Sequence, residues 1–276
     1  MRATLLQPGN EASLRDFLLC PSESAVFLLD MLDRRPIGRH SDSQWWGVHD
    51  EEQRLTGMAF VGLGDTSAGP GLWVCTGGKE TGTAVGHALM DAPLPAMCIG
   101  PPQMVNALWS ALSAPPPRLK TTSMTYTCSS VTQGPELEVR PGEEADLPWL
   151  RDASVAMMQE DLNLNPRHQN PDAHDARILA GIRSGRSWVG HLNGERVFRL
   201  EVGTLGRHGA QVGGTWVPPE HRSQGISTRG MRAVCRQLLQ ETPRVTLHVR
   251  QDNASAIRCY QRVGFLPEAP LCLLVR

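Results

Sequence analysis

The stretch Trp216-Val217-Pro218-Pro219-Glu220-His221-Arg222-Ser223-Gln224-Gly225-Ile226-Ser227 obliges the chain to change secondary structure within a few residues. Ahead of it, Gln211 to Val217 reads as a strand, and two consecutive prolines stop that strand. Beyond it, Met231, Val234, Cys235 and Leu238 recur at the i, i+3, i+4, i+7 spacing of one apolar helix face. Arg229, Arg232 and Arg236 are expected largely on the wet side of that helix. The connection Arg222-x-x-Gly225-x-Ser227 puts a loop of small residues at a helix N-terminus, where unpaired N–H groups and the helix dipole both favour an anion. Gly225 lets the backbone approach a ligand closely, while Ser227 is small and can also cap the helix. The pattern predicts a bound pyrophosphate. Alone it is a weak signal, because many α/β turns carry a glycine for packing.

A second segment sharpens it. Val245-Thr246-Leu247-His248-Val249 alternates like a strand and leads into Gln251-Asp252-Asn253-Ala254-Ser255-Ala256-Ile257-Arg258-Cys259-Tyr260-Gln261-Arg262-Val263-Gly264-Phe265. Asp252 or Asn253 is expected to cap a short helix there, Ile257, Tyr260 and Val263 to share one face, and Gly264 to end it.

Together the two segments resemble the GNAT superfamily of acyl-CoA-dependent N-acyltransferases. Its cofactor motif is Arg/Gln-x-x-Gly-x-Gly/Ala, followed by a strand and Asn-x-x-Ala-x-x-x-Tyr-x-x-x-Gly-Phe. Arg222 to Ser227 and Asn253 to Phe265 match in order and spacing, with Ser227 in place of the last glycine or alanine. The resemblance implies that the backbone of Arg222, Ser223, Gln224, Gly225, Ile226, Ser227 and Thr228 holds the pyrophosphate of acetyl-CoA. It further implies that Trp216 and Val217 pair with the pantetheine arm as if it were a strand, and that Asn253 hydrogen-bonds the cofactor. Tyr260 takes the role of the acid that protonates the departing thiolate. A lone helical tyrosine is ordinarily a core aromatic; its register with Asn253 is what selects the acid role.

The general base is less well marked. Gln211, near the cofactor loop, cannot accept a proton. Glu201, a carboxylate within an otherwise apolar strand, is the candidate catalytic base or else a partner of Arg199 or Arg177. Glu160 and Asp161 either line the acceptor mouth and attract a cationic amine or are solvated charges. Cys259 adjoins Tyr260 but lies about 100° around the helix from it, which argues for direct transfer over a covalent acyl-enzyme.

The 276 residues suffice for one large or two small domains, and a net charge of −1 gives no broad case for binding nucleic acid or anionic membranes. No apolar run reaches the roughly 18 residues of a membrane span, and Met1 to Pro8 holds no signal-peptide core. The expectation is a cytoplasmic enzyme of bacterial type. Its 7 cysteines form no Cys-x-x-Cys pair and read as reduced, mostly buried thiols. His168 and His174, in a loop with Asp172 and Asp175, lack ligand spacing, so no metal is expected.

The breaker-rich stretch 129–135 divides the chain into residues 1–130 and 137–276. The second part reads β-α-α-β-β-β-α-β-α-β. It includes a helix over Asp175 to Ser184 and a hairpin turning at Asn193-Gly194. The first part repeats a similar order: helical from Glu11 to Arg34, a hairpin of Trp45–Val48 and Leu55–Leu63, then strands and helices to Cys128. Its counterpart of the cofactor loop, Gly77-Gly78-Lys79-Glu80-Thr81-Gly82, lacks the motif. The phrases Asn106-x-Leu108-Trp109, Ala156-Met157-Met158-x-Glu160, Val197-Phe198-Arg199-x-Glu201-Val202-Gly203 and Gln211-Val212-x-Gly214-x-Trp216-Val217 resemble tandem GNAT proteins of actinobacterial type, whose N-terminal half has no assigned function.

The expected architecture is thus α/β (α+β, mixed sheet), with two GNAT-like domains in tandem, each a mostly antiparallel sheet flanked by helices. The expected function is transfer of acetyl from acetyl-CoA directly to an amine. The alternative is a non-catalytic acyl-CoA-binding or regulatory module.

Overall fold

The computed structural model describes residues 1–19, 25–63, 65–66, 69–168 and 170–276. The chain forms two compact units. The first comprises Met1–Thr125, His248–Asp252 and Pro267–Arg276, and the second Tyr126–Leu247 and Asn253–Leu266.

In chain order the first stretch holds β1 (Arg2–Leu5), α1 (Glu11–Leu19), α2 (Ala25–Arg34), β2 (Ser43–His49), β3 (Leu55–Gly62), β4 (Asp65–Thr66), β5 (Gly69–Pro70), β6 (Leu72–Thr76), α3 (Lys79–Ala88), β7 (Met97–Gly100), α4 (Pro102–Ala111) and β8 (Leu119–Cys128). Residues 20–24, inside the stretch read as helical, lie outside the described residues. The strands β1, β2, β3 and β6 pair antiparallel in that order, and β7 joins β6 in parallel.

Strand alternation buries both faces. Met58 and Phe60 join Leu14, Leu18, Leu28 and Leu29 of α1 and α2, whereas Ala59 and Val61 join Val85 of α3 and Leu108 of α4. Strand β1 is not legible in the sequence, because Ala3 is the one buried residue among its four.

Gly82 explains the first unit's version of the cofactor loop. A Cβ there would clash with the Met104 carbonyl oxygen. That glycine therefore serves the close packing of α3 on α4.

The second unit holds β9 (Glu138–Pro141), α5 (Leu147–Leu162), α6 (Pro171–Arg183), β10 (Ser187–Leu192), β11 (Glu195–Gly206), β12 (Gly209–Trp216), α7 (Ile226–Leu238), the start of β13 (Val245–Arg250) and α8 (Ala254–Val263). Strands β9 to β12 pair antiparallel in sequence order, and β13 runs parallel to β12. The last strand, β14 (Leu266–Val275), belongs largely to the first unit, where it pairs antiparallel with β7.

Helix α6 starts earlier than the sequence reading had it. Asn170 accepts a hydrogen bond from the Ala173 N–H at 2.9 Å, and Pro171 fills the first helical position. His174 consequently lies within the helix, 3% exposed and bonded to the Ser154 hydroxyl at 3.2 Å, and is not a loop residue.

Arg232 is the second departure. It is buried, not on the wet face of α7, and donates to the carbonyls of Thr132 (3.2 Å), Pro135 (2.7 Å) and Arg262 (3.2 Å). The breaker-rich stretch before β9 is thereby fastened to α7 and to the end of α8.

Candidate active site

Strands β12 and β13 pair only at Ala210–Val245 and Gln211–Thr246. Past Gln211, β12 therefore offers a strand edge that β13 no longer covers, which is where an extended ligand can add. On its other side β12 carries a bulge. Arg199 pairs with Trp216 and Glu201 with Gly213, so three residues of β12 answer two of β11. Gly214 takes up the extra residue at φ +59°, a conformation that favours glycine.

From Trp216 and the buried Val217 the chain passes through Pro218-Pro219 into the loop Arg222–Gly225. Gly225 is the N-cap of α7 at φ +73°, and a Cβ built on it would meet no atom within 4 Å. Ile226, Ser227 and Thr228 open the helix, where backbone N–H groups have no acceptor in a preceding turn. The structure thus leaves open space beside Gly225 at the positive end of α7, where the unpaired amides of the helix N-terminus favour an anion such as a pyrophosphate. The first unit's counterpart differs: a Cβ on Gly77 would lie 3.0 Å from the Thr81 hydroxyl and 3.1 Å from Gly57.

Ser227 lies inside the first turn and does not cap it. Its hydroxyl receives the Cys259 thiol at 3.4 Å, and the Thr228 hydroxyl donates to the same sulfur at 3.4 Å. Cys259 therefore faces α7. Asn253 is the N-cap of α8, with its Oδ1 committed to the Ala256 N–H at 3.1 Å. Any ligand bond from Asn253 must come from its amide nitrogen.

Tyr260 stacks edge-on against Phe265 at 5.9 Å. Burial pushes its phenol well above the ordinary range, the Cys259 thiol adds to that shift, and the neighbouring Thr215 hydroxyl opposes it. The side chain is a neutral proton donor beside the residue that follows the Gly214 bulge.

Glu201 reaches the same bulge from β11. A Cβ on Gly214 would meet its Cγ at 3.1 Å. Its carboxylate accepts from the Ser187 hydroxyl at 2.9 and 3.0 Å and from Arg199 Nη2 at 2.7 Å. The pairing with Arg199 that the sequence left open is made, while Arg177 is not among its partners in these bonds. Arg199 itself is only 2% exposed. The structure thus brings Tyr260 and Glu201 to adjacent residues of β12.

One buried group was not singled out from sequence, and one that was singled out has partners the motif does not show. Asp146 is fully buried and binds Arg140 at 2.6 Å, Arg196 at 2.7 Å and the Glu143 N–H at 2.8 Å. Burial opposes its charge, but these donors prevail and hold the carboxyl well below its usual range. Arg222, expected to hold the pyrophosphate through its backbone, instead gives its N–H to the Pro219 carbonyl at 3.2 Å, and its side chain has other partners. Its Nε donates to the Val217 carbonyl at 3.0 Å, and its Nη2 lies 2.9 Å from Glu160. No signal in the sequence joins Asp146 to Arg196, 50 residues on, or Arg222 to Glu160, 62 residues back.

Residues 145–265 match the sequence model described as the Acetyltransferase (GNAT) family. No curated protein sequence matches the chain. Among solved structures, it is similar to a GCN5-related N-acetyltransferase from Sphaerobacter thermophilus, with a TM-score of 0.61 at 12% identity over 98% of this chain and 93% of that one. It is similar also to an acetyltransferase of the GNAT family from Colwellia psychrerythraea (TM-score 0.55, 10% identity, 100% and 99% covered). A tandem GNAT protein from the clavulanic acid biosynthesis pathway is similar over 99% of this chain and 98% of its own, with a TM-score of 0.52 at 14% identity. At such identities the likeness is one of fold, and it extends over nearly the whole chain.

Proposed function

Residues 145–265 form a GNAT acetyltransferase domain, and from that premise we propose that the protein transfers acetyl from acetyl-CoA directly to an amine. The observation that carries this reading is the open space beside Gly225 at the N-terminus of α7, continuous in sequence with the edge of β12 that β13 leaves uncovered. The bound thioester supplies an activated acyl carbon: the amine nitrogen bonds to it, the carbon–sulfur bond breaks, the nitrogen sheds a proton and the thiolate gains one.

In this reading the amides from Ser223 to Thr228 hold the pyrophosphate. The edge of β12 that β13 leaves uncovered, ending at Trp216 and running on into Val217, aligns the pantetheine arm, with Asn253 Nδ2 as a further donor. Tyr260 holds a proton where the thiolate departs. Glu201, fixed by Ser187 and Arg199 beside the bulge, receives the proton of the acceptor. Cys259 is turned onto Ser227 and Thr228, which supports direct transfer. A cytoplasmic site of action belongs to the same proposal.

The test is release of coenzyme A thiol from acetyl-CoA across a panel of primary amines. Amine-dependent release supports the proposal. Tight acetyl-CoA binding with no release for any amine would replace it with the acyl-CoA-sensing module.

A further inference from the structure

The guanidinium of Arg222 sits in surroundings suited to a cation. Its Nη2 lies 2.9 Å from each carboxylate oxygen of Glu160, and its carbon stands 6.0 Å from the centroid of the Trp216 ring. Trp216 directs its indole N–H to the same carboxylate at 3.4 Å. Trp149 flanks that indole, ring centroids 6.5 Å apart. Trp149 and Glu160 are about three helical turns apart on α5, so they share one face of it. A carboxylate beside an aromatic face binds ammonium and guanidinium groups through charge and through the ring quadrupole. The present occupant is weakly held, because Arg222 and Glu160 are 43% and 45% exposed. Arg222 also begins the loop that ends at Gly225.

We propose that Glu160 and the Trp216 ring form a subsite for a second cationic group on the acceptor, and that Arg222 fills this subsite until an acyl-CoA binds. The inference rests on the acyltransferase reading above. A pyrophosphate on the Ser223–Thr228 amides places negative charge beside the loop that carries Arg222. That charge competes with Glu160 for the guanidinium. Once Arg222 is drawn off, the carboxylate and the indole face are open. The acceptor class is an amine that bears an ammonium or guanidinium group apart from the nitrogen acylated.

The experiment is calorimetric titration of the full chain with putrescine and with butylamine, each with and without saturating coenzyme A, on wild type and Glu160→Gln. With coenzyme A, the wild type is expected to bind putrescine about tenfold more tightly than butylamine, the variant to within about twofold. Without coenzyme A the putrescine affinity falls. Equal affinities for the two amines in wild type, no putrescine binding, or a preference that survives in Glu160→Gln overturns the subsite. A putrescine affinity indifferent to coenzyme A overturns the part given to Arg222. None of these readouts needs turnover. Preferential putrescine binding without thiol release therefore overturns the acyltransferase reading and leaves the subsite standing, whereas thiol release without the preference does the reverse.

Discussion

At the scale of single residues, Tyr260 carries the clearest chemical consequence. Burial raises its phenol above the ordinary range, so it stays protonated wherever a thiolate needs a proton. Replacing it by phenylalanine keeps the packing on Phe265 and deletes the proton. Tyr260→Phe is expected to lower the rate of thiol release by about 100-fold, within the usual span for one general acid, while acetyl-CoA still binds. A rate within about twofold of wild type would remove Tyr260 from the mechanism. The motif made the short helix and its Asn253 cap legible, with Tyr260 in register on it, and the acid role is what this variant tests. Glu201 was legible as a buried-strand carboxylate, but its partners were open. Ser187 and Arg199 meet it only after β10 and β11 are paired, a matter of register that sequence alone does not display.

Among the elements, α7 does two jobs. Its N-terminus opens the proposed anion site, and its middle is held by Arg232, which satisfies carbonyls of the preceding stretch and of α8. Arg232→Leu leaves those carbonyls without their charged donor. The expected cost is about 2–4 kcal/mol, measured as a lower urea midpoint; a loss under about 0.5 kcal/mol would show that the fastening contributes nothing. Helical periodicity correctly placed Met231, Val234, Cys235 and Leu238 inside. It misplaced Arg232 because a cation that bonds main-chain carbonyls is buried for reasons that hydrophobic spacing does not register. The start of α6 was likewise misplaced, although Asn170-Pro171 carried a cap-and-proline signal that could have found it.

For the whole molecule, acid sensitivity follows from the half-buried histidine His248. Burial pushes His248 down to about 4 from an ordinary 6.5. The unfolded chain therefore binds this proton first as the pH drops. The stability that neutral His248 confers is full above about 6.5 and is lost as the pH falls from there towards 4, by up to about 3 kcal/mol. His174, also lowered by burial, acts in the same direction. Urea midpoints at pH 7 and pH 5 should differ more for wild type than for His248→Leu; equal differences would mean that His248 is not kept neutral by the fold. The tandem plan itself was legible, because both halves repeat one element order. Assignment of Pro267–Arg276 to the first unit was not, because the pairing of β14 with β7 joins residues distant in sequence.

The claim on which the rest depends is that the amides around Gly225 hold an acyl-CoA pyrophosphate. Calorimetric titration with acetyl-CoA of the wild type and of Gly225→Glu tests it most directly, since the substitution puts bulk and negative charge into the open space beside Gly225. Binding by wild type and a loss of more than about 100-fold in the variant, with the variant still folded by circular dichroism, is the predicted result. Equal binding by the two proteins, or none by wild type, would contradict the account.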